Sequence, residues 1–98
     1  MLYFSTLQQE TAEDVELWIR INGTLYPIYD YKIVSDQLQL VSNPDSSVVE
    51  AVSLLELNAY VQEDGTDLVP YVVVDEATGR PLDVKDRFST KLVFEICN

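Results

Sequence analysis

The chain has no histidine, one cysteine, three glycines and six basic residues among 98, and each shortage removes a class of function. Without imidazole there is no Ser-His-Asp or Cys-His relay and no histidine metal ligand. Cys97 stands alone, so no intrachain disulfide forms and nothing argues for an oxidising compartment. With no base beside it, Cys97 reads as a small apolar residue and not as a nucleophile. Gly23, Gly65 and Gly79 each sit in a turn-like stretch; no glycine-rich phosphate loop exists, and no cofactor is expected. No apolar run is long enough to span a membrane, and MLYFSTLQQE lacks a signal peptide's basic start and apolar core. A soluble cytoplasmic protein is expected.

Positive charge is the sharpest shortage. Seventeen acidic residues against six basic ones give a net charge of −11. From Ile33 to Gly79 there is no Lys or Arg, while Asp36, Asp45, Glu50, Glu56, Glu63, Asp64, Asp67, Asp75 and Glu76 contribute −9. Residues 1–32 add −3, and residues 80–98 carry +1. This balance disfavours direct contact with nucleic acid or with an anionic membrane. It favours a protein partner with a basic surface, reached by electrostatic steering.

What is present is enough for one folded domain over residues 1–98, since 47% of the chain is hydrophobic. VELWIRI, residues 15–21, alternates apolar and polar positions, the period of a half-buried strand. Asn22-Gly23 then predicts a two-residue hairpin turn, in which paired residue numbers sum to 45. That register sets Ile19 opposite Tyr26 and Leu17 opposite Ile28 on a core face. It sets Trp18 opposite Pro27, Glu16 opposite Tyr29 and Asp14 opposite Tyr31 on the other. Proline lacks the N–H needed on a paired side, so the Pro27 strand is expected to be an edge, at least locally.

A second hairpin is expected from Leu54 to Asp75 around EDGT, with Leu55, Leu57, Ala59 and Val61 on an apolar face. DQLQLV (36–41) and KLVFEIC (91–97) alternate as strands, LYF suggests a short one, and DEATGRP (75–81) reads as a turn around Gly79. Residues 43–54 are the helix candidate, with Pro44 in the first turn and Ser47 with Glu50 at capping-box spacing; the alternative is that they extend the following strand, since Val49, Ala51, Leu55 and Leu57 also fit a period of two. The expected architecture is α+β: a small domain, mostly antiparallel sheet built from hairpins, with one short helix. An all-β fold is the alternative.

Catalysis has only carboxylates to work with. Glu63 with Asp67, and Asp75 with Glu76, have the chemistry of an acid–base pair, but a domain this small has little room for a substrate-sized cleft. EDGTD offers oxygen ligands around Gly65 without the spacing of a calcium-binding loop. An acidic turn is the simpler reading, and no metal and no enzyme activity are expected.

The remaining feature is acidity combined with six tyrosines, at 3, 26, 29, 31, 60 and 71. Tyrosine is favoured both in strands and at interfaces. The expected function is a non-catalytic interaction module docking on a basic surface through Asp14, Glu16, Trp18, Tyr29, Tyr31, Glu56, Glu63, Asp64, Asp67, Asp75 and Glu76. Its sharpest form is an inhibitor that mimics nucleic acid on a DNA- or RNA-processing protein. Carboxylates about 6.5–7 Å apart along a strand face suit a row of phosphates. In size and charge such a protein is like the small anti-defence proteins of phages, a likeness of composition alone. Two alternatives stand beside it: an assembly subunit that forms a homodimer through the Pro27 edge strand, and a carboxylate enzyme.

Overall fold

Asn22 and Gly23 adopt the turn that their composition demands, with φ of 52° and 82°, the positive values of a type I′ hairpin. The computed structural model describes residues 2–10, 14–42, 50–64 and 71–97, with the backbone alone at 8–10 and 64. Its elements are α1 (Phe4–Glu10), β1 (Glu16–Ile21), β2 (Thr24–Val34), β3 (Gln37–Ser42), α2 (Leu54–Asp64), β4 (Val72–Asp75), β5 (Leu82–Arg87) and β6 (Lys91–Ile96). The hairpin pairs Ile21 with Thr24, Arg20 with Leu25, Ile19 with Tyr26 and Trp18 with Pro27, the register expected from the turn.

Below Trp18 that register ends. The Leu17 N–H donates to the Val52 carbonyl at 2.9 Å, and the Val52 N–H donates to the Ile28 carbonyl at 2.7 Å. Val52 is therefore wedged between Leu17 and Ile28, which the sequence alone would pair directly. The two strands splay apart, and β2 turns to pair with β3.

The sheet order is β4-β3-β2-β1-β6-β5. Three neighbouring pairs are antiparallel, while β1–β6 and β3–β4 are parallel. The end strands β4 and β5 approach each other at a Val74–Pro81 bridge, and the Asp75 N–H donates to the Arg80 carbonyl at 2.8 Å. The sheet thus curls toward a barrel, the arrangement that leaves least edge exposed. β2 lies inside the sheet between β1 and β3, but its first residues, Thr24–Pro27, pair with β1 alone, so the strand is an edge only locally at Pro27. Pro27 is tolerated because the paired stretch of β2 with β3 begins one residue later, at Ile28.

Inside the curve lie Leu17, Ile19, Ile28, Leu38, Leu40, Val73, Leu82, Leu92 and Phe94, all buried. Phe4 and Leu7 of α1, and Leu54, Leu57 and Val61 of α2, complete this core. The strands expected at 36–41 and 91–97 form as β3 and β6, and Gly79 takes the left-handed φ of 70° in the turn after β4. Leu2–Phe4 does pair briefly, Tyr3 bridging Val72, before the chain enters α1, a helix the sequence reading did not foresee.

The expected Leu54–Asp75 hairpin does not form. Its first arm is α2, because Leu54, Leu57 and Val61 recur at helical spacing and Leu, Glu, Ala and Gln are strong helix formers. Of the helix expected over 43–54, residues 43–49 lie outside the described residues, 50–53 are not helical, and Leu54 is the first residue of α2. Of EDGT, Glu63 and Asp64 end α2, while Gly65 and Thr66 lie outside the described residues. The domain is mostly β, as expected. Among the described residues no helix is long and apolar enough to cross a membrane.

Candidate docking surface

Tyr29 decides which aromatics share a face. The β2–β3 pairing runs Ile28–Ser42 and then Asp30–Val41, so Tyr29 is an extra, bulged residue. A one-residue slip moves every later side chain to the other face. Tyr31 and Ile33, opposite Leu40 and Leu38, therefore turn inward and pack against the core. The patch expected from Trp18, Tyr29, Tyr31, Asp14 and Glu16 is split. Tyr29 stays exposed, Tyr31 goes inward, and Trp18 remains on the outer face between the buried Pro27 and Val93.

Trp18 is occupied there. Its indole Nε1–H donates to Glu16 Oε1 at 3.2 Å, and Lys91 Nζ lies 4.6 Å from the ring centroid, a cation–π contact. Arg20, on the same face, pairs with Asp86 at 2.7 Å and Glu95 at 3.5 Å. This part of the sheet carries both signs side by side and holds its own charges.

The opposite picture is found at α2. Ser53 Oγ accepts from the Glu56 N–H at 3.1 Å, Asp14 Oδ1 accepts from the Leu55 N–H at 3.0 Å, and the Leu54 N–H donates to the Val15 carbonyl at 2.8 Å. The first three orphan donors of the helix are all satisfied, each side-chain cap contributing about 1 kcal/mol. Ser53-x-x-Glu56 is the capping-box spacing at the helix that forms, the same signal that the sequence reading took from Ser47 and Glu50. Asp14 and Glu56 also place negative charge at the positive end of the helix.

Glu56 reaches across to β2, where Oε2 accepts from the Tyr31 hydroxyl at 2.9 Å, and the Tyr31 and Tyr60 rings lie 4.7 Å apart. The Tyr60 hydroxyl accepts from the Ile33 N–H at 3.2 Å. Burial first, then the bond to Glu56 and the charges of Glu56 and Asp30, push the Tyr31 hydroxyl from the ordinary 10.0 up to about 12. The folded state thus prefers neutral Tyr31. The stability this contributes is complete below pH 10 and is lost as pH rises through about 12. Absorbance titration is expected to show one late tyrosine that disappears in Tyr31→Phe, and that variant's stability should fall less steeply across this window.

The acidic candidates scatter in role. Glu63 is exposed on α2, while the Asp64 side chain and Asp67 lie outside the described residues. Glu76 pairs with Lys32 at 3.7 Å, a surface contact worth little. Asp75 is not on the surface: it is 2% exposed, and its Oδ2 accepts from the Thr78 hydroxyl at 2.8 Å. It holds the 76–78 turn, which removes it from any docking surface. Burial of this carboxylate was hidden because β4 is short and its last residue continues the inward-facing row of Val73.

Two concavities, of about 490 and 330 Å³, lie near Ile21 and are lined by Arg20, Asn22, Thr78, Arg80, Glu95 and Ile96, and by Tyr26, Ser42 and Ala77. None of Glu63, Asp75 or Glu76 lines either. Leu55, 64% exposed, and Phe88, 52% exposed, were not among the expected site residues. Leu55 becomes visible only once 54–64 is read as a helix. Compared with known proteins, the chain matches no family model, no curated protein and no solved structure.

Proposed function

We propose that this is a non-catalytic acidic interaction module that docks on a basic protein surface. One observation carries the reading: the lysine- and arginine-free span folds into β3, α2 and β4, while four of the six basic residues lie on β1, β5 and β6. Arg20, Lys32 and Lys91 are each engaged by neighbours. Among the described residues of the central span, Asp36, Glu50, Glu56 and Glu63 are exposed. With both helices counted, we read the architecture as α+β.

Nucleic-acid mimicry is the narrower form of this proposal. The strand spacing invoked for it no longer applies to Glu56 and Glu63, which stand on a helix about 10.5 Å apart along its axis. The test is charge reversal at exposed positions that hold no described contact. Glu50→Lys with Glu63→Lys should leave the circular dichroism spectrum and thermal midpoint unchanged. The same variant should weaken binding to an immobilised oligoarginine peptide, with the deficit shrinking as salt is added. Equal binding by the parent and the reversed protein at low salt would remove the electrostatic basis.

A further inference from the structure

The outward face of α2 is apolar at its centre as well as acidic. Leu55, at 64%, is the most exposed large hydrophobic residue among those described. It is not spare core: Leu54, Leu57 and Val61 already fill the inner side of the helix, at 2%, 0% and 2% exposure. Helical rotation places Ala59 and Gln62 in line with Leu55, flanked by Glu56 and Glu63, and all five are exposed. No Lys or Arg occurs on α2.

The first turn is also held rigidly. Leu54 and Leu55 are anchored through their N–H groups to Val15 and Asp14, and Glu56 is tied to Ser53 and Tyr31. Val52, three residues before Leu55, bonds the Ile28 carbonyl, which ties the backbone just before the bulged, exposed Tyr29 to the segment leading into the helix. A rigidly held leucine flanked by carboxylates presents contact area with little ordering cost.

We propose that the outward face of α2 (Leu55, Ala59 and Gln62 between Glu56 and Glu63), with Tyr29 beside it, docks an amphipathic basic segment. An apolar side chain of that segment covers Leu55, and its Lys or Arg residues meet the carboxylates. The inference rests on the basic-partner reading and adds a location and an apolar anchor, which a pure phosphate mimic would not need. Charge complementarity selects this occupant over a second copy of the chain, since two chains each of net charge −11 repel.

The experiment titrates the isotopically labelled full chain with two synthetic probes: an amphipathic helical peptide of Leu and Lys, and an oligolysine of equal charge. The amphipathic peptide should bind more tightly, shifting amide signals of residues 55–63 and of Tyr29. Leu55→Gln, which changes no charge, should weaken that peptide about tenfold or more while leaving oligolysine binding unaltered. Salt-sensitive binding that ignores Leu55→Gln and maps elsewhere would overturn the site and spare the basic-partner reading. Failure of both peptides to bind would overturn both. Dimerisation in light scattering that Leu55→Gln abolishes would make a second copy the occupant and overturn the proposal.

Discussion

Phe94→Ala is expected to lower the unfolding free energy by about 3–5 kcal/mol, the cost of emptying a large, fully enclosed aromatic site. Phe94 is 0% exposed on β6, and β6 joins β1 in parallel on one side and β5 in antiparallel on the other. Its cross-strand neighbours, Ile19 and Val84, belong to the core or pack against it. The cavity would open between strands from opposite ends of the chain, where backbone pairing on both sides limits collapse. A domain of this size has roughly 5–15 kcal/mol of total stability, so urea denaturation should show a large loss of midpoint. Phe88→Ala is the control. At 52% exposure it should change stability by no more than about 0.5 kcal/mol. Equal losses at the two phenylalanines would contradict the burial on which the fold rests.

The second large effect separates helix from strand at residues 54–64. Leu57→Ala should cost about 2–5 kcal/mol, since Leu57 is 0% exposed, whereas Leu55→Ala should cost little, since Leu55 is 64% exposed. A strand over this segment would put Leu55 and Leu57, two positions apart, on the same buried face, and both substitutions would then be costly. The contrast between neighbouring leucines is therefore diagnostic, read from denaturant midpoints of two single variants. It also supplies the stability control for the binding variant at Leu55.

The hairpin at Asn22-Gly23 was legible because everything it needs is local: alternating β1 and two residues that accept positive φ. Its continuation was not. The register predicts Leu17 against Ile28, but Val52, distant in sequence, takes that place. Tyr29 adds a bulge, and local pattern carries no mark of an extra residue that a partner strand fails to match. The fate of Tyr31 followed from that single residue, and with it the division of the expected aromatic patch.

The α2 segment shows a different failure. Val49, Ala51, Leu55 and Leu57 fit a period of two, and Leu54, Leu57 and Val61 fit a helical one. A short apolar stretch satisfies both templates. Tertiary context decided, through the Asp14 cap and the inward seat for Leu57, in favour of the helix.

Sequence alone determined the absence of histidine, the concentration of negative charge between residues 33 and 79, the first hairpin turn, and the strands that became β1, β3 and β6. Those are properties of composition or of a few neighbouring residues. The tertiary structure alone decided that β2 lies inside a curled mixed sheet, that Asp75 is buried, and that Leu55 faces outward among carboxylates. Each depends on which distant segment fills the adjacent position, and hydrogen-bond partners supplied from afar leave no period in the chain itself.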